Sequence, residues 1–399
     1  MDNENPFEVN LKDWINIIQD CNISFLIGSG LSNPYFGTLG RIEVWLTELE
    51  KNTKIGEELK DFIKASLYGS YYKTAMRDNI EIYNAKITRK HFLDKPKTKK
   101  GELINTYLAY KDFLQILNQI LYHRRSNTVS KQINLFTTNV DIFLEKVIED
   151  LDLHYNDGFN GIFNKRFSLR NFKKSFYQKS LHYDNIAEIP VYNLLKIHGS
   201  ITWELIDSEI RFTGLSLIES LNKLINDSEL LNIAELNDKN WEVKGRDITT
   251  SEIIKAAKEI EDLPDVSLFV DKYEQLQIVN PSKEKFKDTT LNKTYYEMLR
   301  LYANELEKEN SILFVMGFSM ADEHIRDITI RAIKSNPTLK VFICSDSQKA
   351  EDIINNFKSD NIDLDNFYNI ELINPFDGFT LRQFNELILT PILSTIKSN

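Results

Sequence analysis

A histidine followed by glycine, an amide and a carboxylate one residue apart, and a glycine turn behind an apolar run are the features of this 399-residue chain best suited to chemistry. His198 closes the run Leu194 to Ile197 and precedes Gly199, which leaves its ring room and solvent access. An imidazole titrates near neutrality, so such a residue can take a proton from a substrate. Asn139 and Asp141 flank Val140 in Thr137-Thr138-Asn139-Val140-Asp141, where a carboxamide and a carboxylate can share one pocket. Gly28-Ser29-Gly30-Leu31-Ser32 follows the run Ile23 to Ile27. Glycines without side chains let backbone N–H groups approach a diphosphate there. Each feature also has a plainer reading. Asn and Asp behind a strand cap the next helix, here Ile142 to Glu149; a lone histidine is often structural, and a glycine turn can be purely architectural. The dehydrogenase pattern GxGxxG would place glycine at position 33, where Asn33 stands, and no strand-ending acid for a ribose occurs near Glu50.

These residues need elements that hold them. Ile23 to Ile27, Ile133 to Phe136, Asn193 to Ile197, Ile312 to Met316 and Val341 to Cys344 are short apolar runs, each followed by polar or glycine residues. They read as buried strands of a parallel sheet, whose carboxyl-end loops are where such sheets bind ligands. Leu11 to Asp20 and Ile42 to Leu49 carry helical apolar spacing. The expected organisation is one domain over 1–399, with a core from 1–50, 131–204 and 272–399 and helical insertions at 51–130 and 205–271. The stretch Lys95 to Lys100 reads as an exposed loop. Asp322 reads as a helix cap and Trp14, Trp203 and Trp241 as core. His91, His123, His154, His182 and His324 read as structural or surface residues.

Composition excludes several classes. With 42% hydrophobic residues the chain is globular rather than disordered. Lys plus Arg total 49 against 59 Asp plus Glu, and a net charge of -10 disfavours direct binding to nucleic acid. Two cysteines, Cys21 and Cys344, supply neither a disulfide framework nor a four-thiolate zinc site. No apolar run approaches the roughly 18 residues of a membrane span, and Met1 to Glu8 is unlike a signal peptide. A cytoplasmic protein, with no membrane association, is expected.

Taken in order, Gly28-Ser29-Gly30-Leu31-Ser32, Thr137-Thr138-Asn139-Val140-Asp141, Lys196-Ile197-His198-Gly199-Ser200 and Gly317-Phe318-Ser319 with Asp322 resemble the glycine, TxNxD, HG and late G(T/F/Y)S motifs of the sirtuin superfamily. The resemblance covers roughly Asp20 to Ser32, Gln132 to Trp203 and Leu276 to Ser347. Gly317-Phe318-Ser319-Met320-Ala321-Asp322-Glu323-His324-Ile325 is similar to the GxSxxDxHI stretch of bacterial sirtuin-like NAD-degrading effectors of antiphage defence. Asp157-Gly158-Phe159 and Pro281 with its following lysines also look like that group. Length, a start near the core and the lack of an appended sensor domain are most similar to the subunit that partners a HerA-type hexameric ATPase; the sensor-carrying Thoeris-type effectors share the core motifs. Two features depart from the protein-deacylating sirtuins. The two CxxC pairs of their zinc ribbon have no counterpart, and Asn33-Pro34-Tyr35-Phe36 stands where their GIPxFR-type loop lies.

The resemblance implies an α/β fold with a Rossmann-like, sirtuin-like parallel core, helical insertions and no zinc ribbon. It implies NAD as substrate, without a metal, cleaved at its nicotinamide–ribose bond. Gly28, Ser29, Gly30 and Ser32, with Thr138 beside them, would line the diphosphate and ribose site. Gly317, Phe318 and Ser319 would close its other side, and Ser345 and Asp346 would lie near the adenosine. Asp141 would hold the carboxamide of nicotinamide, Asn139 would orient a ribose hydroxyl or water, and His198 would be the base. A homo-oligomer, restrained by a HerA-type ATPase, is the implied setting. An NAD-dependent deacylase or ADP-ribosyltransferase, and a non-catalytic NAD- or ADP-ribose-sensing module, remain open alternatives.

Overall fold

The computed structural model describes residues 18–37, 40–93, 96–124, 129–227, 229–244, 247–279, 289–360, 363–373 and 379–398. Most of the expected helix from Leu11, with Trp14, lies outside them, as do Lys95 and Pro281 with its lysines; so does the side chain of Trp241.

All five apolar runs form strands. In chain order the central sheet contains β1 (Asn22–Ile27), β2 (Gln132–Thr137), β3 (Tyr155–Asn156), β4 (Val191–Lys196), β5 (Ser311–Met316), β6 (Lys340–Cys344) and β7 (Ile370–Ile373). Their spatial order is β7-β6-β5-β1-β2-β4-β3, and every pairing is parallel. Runs such as Ser-Phe-Leu-Ile and Leu-Phe-Val-Met lack polar alternation because both faces of the sheet are covered. Ile23, Phe25, Leu135, Leu194 and Phe314 join one core, and Leu26, Phe136, Leu195, Leu313 and Val315 join the other. The fold is therefore α/β with a parallel, Rossmann-like core.

The first core is covered by helices from the expected insertions, which proves them integral to the sheet's packing. Helix α1 (Ile42–Glu50) and α2 (Glu57–Tyr71) precede the 25-residue α3 (Lys99–His123), capped by Thr98, whose hydroxyl accepts from the Gly101 N–H at 3.2 Å. On α3, Phe113 meets Phe25 edge-on at 5.1 Å between ring centres, and the Leu114 carbonyl accepts from the Tyr192 hydroxyl at 3.1 Å. Lys99 and Lys100 belong to this helix, so the expected loop to Lys100 ends earlier. Behind β2 comes α4 (Phe143–Asp150); α5 (Thr289–Leu306), α6 (Glu323–Ser335) and α7 (Ser347–Ser359) cover the second core.

A second, five-stranded sheet was not expected. It orders Leu276–Ile278, Gly199–Ile206, Glu209–Phe212, Arg166–Phe167 and Phe159–Asn160, all antiparallel. It crosses the boundary at 204/205, so the segment 205–271 is helical only beyond its opening hairpin. Trp203, buried as expected, belongs to a small satellite cluster with Ile210 and Met298. Among the described residues no helix is long and apolar enough to cross a membrane.

Candidate active site

The path of the chain creates a crevice. From β1 it moves to β2 and on to β3 at the far edge, steps back into β4 between them, then crosses to the other side of β1 as β5 and continues to β6 and β7. Ligands of open parallel sheets bind at such a reversal, outside the carboxyl ends of the strands. The register is level there: Ile27 pairs with both Met316 and Thr137, Thr137 with Lys196, and Met316 with Cys344. Gly28, Thr138, Ile197, Gly317 and Ser345 thus leave neighbouring strands in one row. Gly28 to Ser32, Thr138 to Asp141, His198, Gly317 to Ser319, Asp322, Ser345 and Asp346 lie on the loops that begin there, whereas Asp157-Gly158-Phe159 follows β3.

The two glycine loops touch across the reversal. The Gly28 N–H donates to the Met316 carbonyl and the Gly30 N–H to the Gly317 carbonyl, both at 2.9 Å. A Cβ on Gly28 would lie 2.3 Å from the Gly317 oxygen, and one on Gly30 would lie 2.9 Å from it. Backbone packing therefore requires glycine here before any ligand does. Ser29 and Ser319 are exposed, Phe318 is half-buried against the second core, and Asn356 donates to the Ser319 carbonyl at 2.9 Å. Ser345 is buried, and Asp346 caps α7 by accepting from the Lys349 N–H at 2.8 Å.

On the β1–β2 side the polar residues form a closed network. The Ser32 hydroxyl donates to Asp141 Oδ2 at 2.8 Å, lies 3.1 Å from the Tyr110 hydroxyl, and accepts from Asn139 Nδ2 at 3.3 Å. Thr137 shapes the turn, since its hydroxyl donates to the Ile27 carbonyl and accepts from the Asn139 N–H, each at 3.0 Å. Thr138, half-buried, donates its N–H to the same Ile27 carbonyl at 3.0 Å. Asp141 Oδ1 accepts from the Phe143 N–H at 3.1 Å. The expected capping by Asn139 or Asp141 is corrected, since the N-cap of α4 is Ile142 with no side-chain cap bond; Asp141 Oδ1 meets only the first-turn Phe143 N–H, and Oδ2 belongs to the network. Lys196 reaches in from β4, donating to the Asp141 carbonyl and to Glu145 Oε1, the latter at 2.7 Å. Burial raises the Asp141 carboxyl above the usual aspartate range, against the opposing pull of the Lys196 ammonium and the Ser32 hydrogen bond. Burial chiefly, and then the Asp141 charge, pushes the Tyr71 phenol up to about 12. Two buried oxygens of this network have no hydrogen-bond partner, Glu145 Oε2 and the carboxamide oxygen of Asn139, a residue 6% exposed. Buried polar atoms are normally satisfied, and an orphan inside a crevice suits a ligand's donor.

Across the row, His198 is the only one of the six histidines that is not exposed. Its Nε2 lies 3.2 Å from Asp322 Oδ2, and its ring centre is 6.1 Å from that of Tyr295 on α5. The expected reason for Gly199 is corrected. Its φ is +77°, and a Cβ would meet the Gln277 carbonyl oxygen at 1.9 Å, so glycine serves the crossing of two strands, not the freedom of the imidazole.

Sequence reasoning missed Tyr110, Lys196 as a buried cation, and Asp322 as the imidazole's partner. Asp322 was legible as a cap; Tyr110 lay in a segment with no motif, 78 residues from Ser32. Among the described residues no cluster of three or more His, Cys, Asp or Glu could hold a metal ion. Neither a protein-family model nor a curated protein matches the chain.

Proposed function

We propose that this protein is a sirtuin-like NAD glycohydrolase, cleaving NAD+ with water to nicotinamide, ADP-ribose and a proton. What carries the reading is the convergence of four motifs, in the order that resembles the sirtuin superfamily, on adjacent loops across the reversal of a parallel sheet. The orphaned Asn139 oxygen inside that convergence adds to it, because a ribose hydroxyl or a water is the donor it lacks.

The chemistry divides among the residues. The C1′–N bond of the nicotinamide riboside breaks, the electron pair leaves with neutral nicotinamide, and positive charge develops on the ribose. Water then bonds to C1′ and releases a proton, which His198 accepts. Asn139 orients that water or the neighbouring hydroxyl, and Asp141 accepts from the nicotinamide amide. Loops 28–32 and 317–319 hold the diphosphate on either side, and Ser345 and Asp346 face the adenosine.

An enzyme that depletes NAD must be restrained in its own cell. We extend the proposal to an antiphage effector of the cytoplasm, controlled by homo-oligomeric assembly with a HerA-type ATPase; this part rests on the resemblance alone. Incubating the purified protein with NAD+ and identifying the products tests the central claim, which expects nicotinamide and ADP-ribose in equal amounts. Intact bound NAD+ would instead indicate a sensing module, and acylated ADP-ribose formed only with an acyl-peptide would indicate a deacylase. Light scattering finding only monomer, and no ATPase co-purifying with it, would remove the assembly claim.

A further inference from the structure

The two oxygens of Asp322 meet different groups. Oδ1 accepts from the His324 and Ile325 N–H groups, at 3.1 and 3.3 Å, capping α6. Oδ2 faces His198 Nε2 at 3.2 Å. The cap fixes the carboxylate, because its oxygen is tied to a helix anchored by further bonds. Arg326, one turn on, donates to the Met320 carbonyl at 2.7 Å and to Asp360 at 2.6 Å. Both side chains are mostly shielded, with 19% of His198 and 10% of Asp322 exposed, so water competes weakly for the pair. Among the described residues the titratable groups on the elements packed about the imidazole are Asp322, the Tyr295 phenol on α5, and His324 beyond it, whose ring centre is 6.5 Å from that of Tyr295. Among the described residues none hydrogen-bonds the other ring nitrogen of His198.

We infer that Asp322 is a positioning residue for His198: it accepts the Nε2 proton, fixes the tautomer, and leaves Nδ1 as the atom that takes a proton from substrate. An ionised acceptor on one nitrogen also stabilises the imidazolium formed when the other is protonated. This rests on the hydrolase reading for its consequence in rate, while the tautomer is a property of the folded protein alone.

The discriminating variant is Asp322→Asn. Asparagine caps helices as well as aspartate does. Its single amide oxygen is needed by the His324 and Ile325 N–H groups, so its NH2 must turn toward the imidazole. A donor there forces His198 into the opposite tautomer. The protein is labelled with 15N-histidine and compared as wild type, Asp322→Asn and Asp322→Ala at a pH where imidazoles are neutral, with His198→Ala identifying the signal. The expected result is an Nε2–H imidazole in wild type and Nδ1–H in Asp322→Asn, with an unchanged melting temperature. NAD cleavage should show kcat reduced about 10²-fold or more and KM within a few-fold. Asp322→Ala should lose the fixed tautomer and the cap together. A wild-type tautomer retained in Asp322→Asn overturns the inference, and so does an unchanged kcat where the wild type cleaves NAD. A wild type inert toward NAD with the tautomer switching as expected would uphold the positioning and overturn the hydrolase reading.

Discussion

The β1–β2 half of the site and the β4–α6 half are built on opposite plans. In the first, Ser32, Asn139, Asp141, Tyr110, Lys196 and Glu145 form a buried lattice of hydrogen bonds drawn from two strand-end loops, two helices and a neighbouring strand. In the second, one imidazole meets one carboxylate, and the ring keeps partial access to solvent. A lattice so largely satisfied is rigid and suited to holding a ligand through the few atoms it leaves open, here the Asn139 oxygen and Glu145 Oε2. An imidazole with a single fixed partner is suited to moving a proton. Substitutions should therefore separate activity from stability differently in the two halves.

The largest effect is expected from His198→Ala. Removing a general base costs about 10² to 10⁴ in rate, whereas the ring of a partly exposed residue can be lost for roughly 1 kcal/mol of stability. Nicotinamide release measured beside a thermal melt checks this, and a folded variant working at the wild-type rate would take His198 out of the mechanism. Asn139→Ala sharpens the contrast. It should lose a comparable factor in rate, but at 6% exposure it also strips Ser32 of a partner, so about 1 to 2 kcal/mol of stability should go with it. Equal stability for both variants would erase the distinction between the halves.

Lys196→Met tests the lattice from below. The Lys196 side chain is 3% exposed and its ammonium serves the Asp141 carbonyl and Glu145. Removing one partner of a buried pair leaves an uncompensated charge, which costs about 3 kcal/mol at a site where Glu145 keeps 27% exposure. Denaturant unfolding reads this directly. The double variant with Glu145→Gln should recover part of the loss, and a double variant as unstable as the sum of the two singles would deny the coupling.

How much of this could be read in the sequence follows the same divide. Five of the seven parallel strands were legible because burial on both faces demands unbroken apolar runs, and the loops behind them were legible because each begins where such a run stops; β3, two residues long, and β7, at the opposite edge, were not read. The small antiparallel sheet was not. Its hairpin turns through Asp207 and Ser208, with φ of 52° and 61°, and these residue types do not carry the glycine signal expected of such a turn. Its strands Phe159–Asn160 and Arg166–Phe167 are two residues long, too short to show alternation. His198 was legible from its place at a strand end, and Asp322 only as a cap, because spacing along the chain cannot reveal a partner 124 residues away. Tyr110 and Lys196 sat in apolar patterns, where a tyrosine reads as core and a lysine as surface.

The smallest effect is the most specific to the lattice, because it asks whether burial or hydrogen bonding governs Asp141. Burial raises its carboxyl above the ordinary aspartate value of 3.8, so between that value and the raised one the folded chain holds a proton that the unfolded chain has released. Stability contributed at Asp141 is therefore present at low pH and lost as pH rises through that window, the reverse of an aspartate in an exposed ion pair. Asp141→Asn removes the titration. Its amide oxygen can accept from Ser32 or from the Phe143 N–H but not from both, which sets a pH-independent deficit of about 1 kcal/mol. The wild type alone is penalised by ionisation of residue 141, so the deficit should be larger near about pH 4 than near about pH 7. Paired thermal melts at the two pH values measure it. A deficit that grows toward neutrality would mean that Ser32 and Lys196 outweigh burial, and that Asp141 is an ordinary stabilised carboxylate.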